Sequence, residues 1–247
     1  LTGDLVKDAM SNRFRIAQII ALGFMFWLCH GQSSAQIVLR LNTHELPPYS
    51  FHNDQGQIDG IAIRVTECAL KKVNQPYSIA FYPWARAQML VQVRYADGFF
   101  AASASEERNQ YAVLSATIAP QEWRWYLRND NPMDPRSPMF KDVAMVGSFN
   151  GANMQDWLIN NQYKVAANPP TNMHLLKMLQ TRRLDAILAN KLVMDALIAE
   201  GGGADEIRSV LLQDKPLGIY ISKAVLANLA PDFMSRLNQA IAYCRKK

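Results

Sequence analysis

Ser103 and Arg108 stand five residues apart in FFAASASEERNQYAVLS, residues 99–115, and both are side chains that can hold an anion. A guanidinium presents a planar fork of donors matched to a carboxylate or phosphate, and a hydroxyl adds one more. Around them the chain thins to Ala101, Ala102 and Ala104, side chains small enough to let another molecule approach the backbone. The stretch predicts a pocket for an anionic group. Its rival is a surface Arg108 paired with Glu106 or Glu107, the ordinary fate of a charged residue. Arg86, in PWARA, is a second candidate. It opens a helical pattern, where a cation opposes the helix dipole, so a carboxylate or the ligand must hold it.

Other chemistries find fewer residues. His44, His52 and His174 lack ligand spacing, so no metal site is expected. His44 and Glu45 could resemble an acid–base pair, but neighbours in an extended loop point to opposite sides. There is no Gly-rich phosphate loop, no G-x-S-x-G elbow and no Cys/His constellation, and no cofactor is expected. The residues suit a clamp better than a reaction.

The elements that must position them alternate. Ile37, Leu39 and Leu41 have strand period, residues 42–50 carry Pro47 and Pro48 and must be loop, and Ile61 to Leu70 has helical spacing. YSIAFYPW reads as a strand, ARAQMLVQVRYADG as a helix closing at Gly98, and residues 98–104 as a strand. After Ala119-Pro120-Gln121 the pattern resumes: EWRWYLR strand, NDNPMDPRSPMF loop, VAMVGSF strand, NGANMQDWLINN helix, YKVAANP strand, MHLLKMLQTRR helix, LDAILAN strand. A helix broken at Gly201-Gly202-Gly203, the strand PLGIYIS and a helix from Asp232 to Arg245 close the chain. Such alternation predicts an α/β fold with ligand groups gathered at strand ends. Two lobes explain it: lobe I from residues 36–119 and 213–247, lobe II from 120–212, joined by a two-segment hinge at 119–123 and 209–214.

Residues 1–35 read as a leader. Arg13 and Arg15 precede an apolar run from Ile16 to Cys29, followed by Ser33-Ser34-Ala35, the parts of a cleaved signal peptide beginning at Met10. The run of about 14 residues is shorter than the roughly 20 that span a bilayer, and export to the periplasm is expected. Cys29 lacks the small residues that precede a lipid-anchored cysteine. The formal charge of +5 is mildly basic, and scattered Lys and Arg suggest no nucleic-acid partner. Removal of the leader leaves Cys68 and Cys244. An even pair in an exported chain favours a disulfide over two buried thiols, and both would fall in lobe I.

Taken in order, LNTHELPPYSF, DGFFAASASEER, YAVLSATIAP, VGSFNGANMQ and RRLDAILAN resemble the bacterial extracellular solute-binding proteins of family 3, the periplasmic receptors of polar amino-acid ABC transporters. The resemblance implies a two-lobed periplasmic-binding-protein fold of type II that closes on its ligand. It gives Arg108 the ligand's α-carboxylate, with Ser103 as an accompanying donor, and places Gly151, Ala152 and Asn153 at a helix start completing the carboxylate site, where free N–H groups favour an anion. Family members commonly carry an Asp for the α-ammonium where this chain has Asn190. A neutral amide cannot neutralise a buried ammonium, so either Glu45 replaces that charge or the ligand has no ammonium. Tyr49, Trp84 and Trp123 are candidate cleft aromatics, with Phe51 and Trp125 assigned to the core.

The expected function is a monomeric, non-enzymatic receptor that passes a small carboxylate-bearing solute, an amino acid or analogue, to an inner-membrane ABC permease through transient contact. Two alternatives remain: a periplasmic enzyme similar to cyclohexadienyl dehydratases, with Glu45 as the cleft acid, and a freestanding sensory module.

Overall fold

In the computed structural model of the protein, residues 37–201 and 204–246 are described. The expected leader, including Met10 and Cys29, lies outside the described residues, as do Gly202, Gly203 and Lys247. Among the described residues no helix is long and apolar enough to cross a membrane.

The chain begins with β1 (Leu39–Thr43), the hairpin strands β2 (Phe51–His52) and β3 (Ile58–Asp59), α1 (Ile61–Lys72), β4 (Tyr77–Phe81), α2 (Trp84–Gln92), β5 (Gly98–Ser103), α3 (Glu106–Tyr111) and β6 (Ala112–Leu114). It then crosses to β7 (Glu122–Arg128), α4 (Phe140–Val143), β8 (Met145–Ser148), α5 (Asn153–Asn160), β9 (Lys164–Ala167), α6 (Asn172–Gln180), β10 (Ala186–Asn190), α7 (Lys191–Gly201) and β11 (Ile207–Asp214). It returns through β12 (Leu217–Ser222), α8 (Lys223–Leu226) and α9 (Phe233–Cys244). Two five-stranded sheets result, ordered β4-β1-β5-β12-β6 and β11-β7-β10-β8-β9. This is a two-lobed α/β fold.

β5 lies in the middle of the first sheet, and all six of its residues are buried, which is why GFFAAS is apolar and small throughout. Its pairing with β1 stops at Asn42 and Phe99, and its ladder with β12 shifts register at Gly218 and Ile219. Ala101 accordingly takes a left-handed φ of 60°, uncommon for a residue with a Cβ. The carboxyl ends of β1 and β5 therefore part, and the gap between them floors the site.

The loop after β1 is held by α1. The N–H groups of Ile61 and Ala62, unsatisfied within the helix, donate to Pro48 O (3.0 Å) and Tyr49 O (2.8 Å). Gly60 permits this approach: its φ is 127°, and a Cβ there would stand 2.3 Å from Tyr49 O. The other face of α1 buries Ala62, Ile63, Ala69 and Leu70, the spacing of one helical stripe. It packs against α9, and the Cys68 and Cys244 sulfurs are bonded across that contact, with Cα atoms 6.0 Å apart.

The hairpin β2–β3, the helix α3 and the strand β6 are additions to the sequence reading, and two further elements change its bounds. The α2 helix ends at Gln92, well before Gly98, because Arg94 adopts a left-handed φ of 66° and Tyr95 N–H returns to Leu90 O at 2.8 Å. This is a helix stop made without glycine. Residues 209–214, expected as a connection, belong to β11, which pairs antiparallel with β7 from Ile207 to Asp214. The return crossing falls at Lys215 and Pro216, where Lys215 N–H bonds Gln121 O at 2.8 Å and Leu217 N–H bonds Ala119 O at 2.9 Å.

Candidate functional site

Arg108 projects inward from α3 and is 3% exposed, while Glu106 and Glu107 beside it face solvent. The surface-pair reading therefore fails. Its Nε donates to Gln88 Oε1 (2.7 Å), Nη1 to Ser103 O (3.1 Å) and Nη2 to Gly151 O (3.5 Å). Trp84 and Phe99 lie under the guanidinium at 5.2 and 5.9 Å from their ring centres. Each of these partners is neutral, and among the described residues Arg108 makes no ion pair. Burial pushes its pKa down to about 10, so it remains charged at neutral pH. Three of its five N–H donors are used.

The guanidinium faces a cavity of about 50 Å³ whose wall includes His44, Trp84, Ser103, Trp123, Asn153 and Asn190. Ser103 ends β5 in the first lobe, whereas Asn153 opens α5 in the second, so both lobes contribute. Asn153 Nδ2 reaches Ser103 O and Oγ at 3.0 Å each and Ala104 O at 3.1 Å. Its Oδ1 is buried without a partner among the described residues, and so are Asn190 Nδ2 and His44 Nδ1. Three orphaned polar atoms around one small cavity are a concentration of groups that normally find partners.

His44 carried no expected role, yet it is 4% exposed and stacks on Trp84 at 4.3 Å between ring centres. Burial, and then the charge of Arg108, lower its pKa to about 3, so its ring is neutral at physiological pH. Its position just beyond β1, beside the end of β5, was the available signal.

Ser103, Arg108, Trp84, Trp123, Ala152, Asn153 and Asn190 come together around the cavity. Four other candidates stand outside the cavity. Glu45 is exposed and bonded to His52 Nδ1, and it lies on the wall of the adjoining trough and not of the cavity itself. Arg86 is exposed, with its guanidinium over the Tyr82 ring at 5.3 Å, so an aromatic face and solvent hold it. Tyr49 is fully buried behind the wall, and its hydroxyl donates to Pro120 O at 2.8 Å. Gly151 offers Arg108 a carbonyl; its own N–H donates to Gln155 Oε1 (3.0 Å) and that of Ala152 to Phe149 O (3.1 Å), so neither is free for an anion. Among the described residues no group of three or more His, Cys, Asp or Glu forms a metal site.

Beside the cavity is a trough of about 630 Å³, sharing His44, Trp84, Phe149 and Asn172 with it and walled further by Phe81, Tyr82, Val193 and Leu197, with the carboxylates Glu45 and Glu200 also on its wall.

No family model matches the chain, and no curated protein matches it in sequence. Its structure is similar to that of a histidine kinase sensor domain with similarity to periplasmic binding proteins, at a TM-score of 0.73 and 16% identity over 85% of this chain and 91% of that one. The GluR0 ligand-binding core from Nostoc punctiforme, in complex with L-glutamate, matches at 0.69 and 19% over 84% and 93%. The substrate-binding protein of an amino acid ABC transporter matches at 0.66 and 16% over 85% and 93%. The chain thus has the two-lobed periplasmic-binding-protein fold of type II, with the cavity at Arg108 lying between its lobes.

Proposed function

We propose that the protein is a periplasmic solute-binding protein of the family 3 kind, which captures a small carboxylate-bearing solute between its lobes and delivers it to an ABC-type permease. The observation that carries this reading is Arg108: a buried cation without an ion-pair partner among the described residues, facing a cavity between two lobes. A buried charge is costly unless paired, and an anionic ligand supplies the pair. Similar structures that hold glutamate or belong to an amino acid ABC transporter support the same role. In this reading residues 1–35 direct export, 36–119 with 213–247 form lobe I, 120–212 form lobe II, and the receptor acts as a monomer.

No reaction is assigned. A dehydratase would need an acid beside the carboxylate site, whereas among the described residues no Asp or Glu lines the cavity, and Glu45, on the trough wall, is bonded to His52. A sensory role is the second reading, favoured by the likeness to a histidine kinase sensor domain. It uses the same capture step and differs in which membrane protein recognises the ligand-bound form.

The test is calorimetric titration of the protein with carboxylic acids, amino acids and amines. Arg108→Ala should weaken binding of each hit by roughly 2 to 5 kcal/mol and leave the circular dichroism spectrum unchanged. Binding confined to amines, or an affinity indifferent to Arg108→Ala, would overturn the assignment.

A further inference from the structure

We infer that the ligand is a monocarboxylate with an uncharged oxygen, best a hydroxyl, beside its carboxylate and no ammonium there, and that its apolar body lies in the trough. This rests on the reading of the cavity as a carboxylate site.

The first observation is charge. Among the described residues the cavity wall contains one cation, Arg108, and no Asp or Glu; Glu45 and Glu200 border only the adjoining trough, and Glu45 is bonded to His52. A monoanion balances that wall. A zwitterion would bring a second cation beside Arg108 with nothing to neutralise it, which is costly in a buried site.

The second is the orientation of two amides. Asn190 Oδ1 accepts from Leu192 N–H at 3.1 Å. A backbone N–H can only donate, so that atom is the oxygen, and the buried, unpartnered atom of this 4%-exposed side chain is Nδ2, a donor. A donor cannot receive an ammonium proton. Asn153 is fixed in the opposite sense: its Nδ2 reaches the carbonyls of Ser103 and Ala104, leaving Oδ1 as an unpartnered acceptor. Both residues line the cavity, and a ligand hydroxyl is the group whose chemistry answers both, accepting from Asn190 and donating to Asn153.

The third is size. At about 10–15 Å³ of such volume per water-sized group, a cavity of about 50 Å³ holds on the order of three to five non-hydrogen atoms. The upper end matches the five of a carboxylate, the next carbon and its hydroxyl, and leaves no room for more. Two hollows adjoin the cavity: one of about 510 Å³, sharing Trp123 and Asn153, is walled by Glu106, Glu107 and Asp156 and suits no apolar body, whereas the trough of about 630 Å³, reached past His44, Trp84 and Phe149, offers the apolar surface of Phe81, Val193 and Leu197, with Glu45 and Glu200 also on its wall.

Four probes separate these elements: 3-phenyllactate, 3-phenylpropanoate, phenylalanine and lactate, each titrated calorimetrically into the unmodified protein. Phenyllactate should bind tightest, phenylpropanoate next, and phenylalanine at least roughly tenfold more weakly than phenyllactate; lactate, lacking the body, should also fall at least roughly tenfold behind. Asn190→Asp should shift preference toward phenylalanine. Phenylalanine binding as well as phenyllactate would overturn the inference while leaving the receptor function intact. Lactate matching phenyllactate would overturn the placement of the body, and silence from all four would reject the inference. The function itself falls only if the broader titration finds no Arg108-dependent carboxylate.

Discussion

At the scale of single residues, the site places a neutral imidazole next to a permanent cation. The folded protein holds His44 unprotonated down to about pH 3, whereas in the unfolded chain an imidazole binds its proton near pH 6.5. Between those values the unfolded state carries the extra proton, so stability falls as the pH drops from about 6.5 toward 3, by up to about 1.4 kcal/mol per unit from this residue. Urea unfolding at pH 7 and pH 5 should show the wild type losing roughly 2 kcal/mol more than His44→Gln. Equal losses in the two proteins would mean that His44 is not held neutral. The burial of Arg108 at a cavity was legible because small residues and a guanidinium close together at a strand end have few uses in a fold. His44 was not, because a lone histidine in a loop has many, and only the parting of β1 from β5 brings it to the cavity. Glu45 falls one step outside the cavity, on the trough wall and bonded to His52: sequence shows that a carboxylate is nearby and conceals which hollow it borders.

At the scale of elements, periodicity revealed most strands and helices, including β7 and β10 at the cavity's edge, because buried strands are apolar throughout and half-buried helices repeat. It failed where backbone geometry carried no residue signal. The stop of α2 at a left-handed Arg94 is one case, and β11, an edge strand with five half-buried and three exposed residues, is another. The contact of α1 with α9 has a covalent counterpart in the Cys68–Cys244 bond, which spans 176 residues and includes the whole second lobe. A crosslink over so long a loop restricts the unfolded chain and is worth roughly 2 to 5 kcal/mol. Guanidinium unfolding with and without reductant should differ by that amount, and Cys68→Ser with Cys244→Ser should match the reduced wild type. An oxidised protein that exposes two titratable thiols on unfolding would show that the bond does not form.

At the scale of the whole molecule, the lobes meet through an apolar seam, where Val193, Leu192 and Leu197 of α7 pack on the first-lobe core, and through few polar contacts: Asn153 on Ser103 and Ala104, Gln88 and Arg108 on Gly151 O, and Tyr49 on Asn190. Each polar contact contributes on the order of 1 kcal/mol net, so their sum is a few kcal/mol, the range in which a ligand can move an equilibrium between open and closed forms. A ligand at 100 times its Kd adds about 2.7 kcal/mol to the form that binds it, enough to shift that population by about two orders of magnitude. The amide of Asn153 makes the most lobe-to-lobe hydrogen bonds of any side chain, and it lies outside both sheets. Small-angle scattering of Asn153→Ala should therefore give a larger radius of gyration than wild type without ligand, and saturating ligand should shrink it, at a Kd raised by roughly the net worth of the lost hydrogen bonds. A radius indifferent to both the substitution and the ligand would mean that the lobes are locked together by their packing, and that capture proceeds without the closing motion on which a clamp depends.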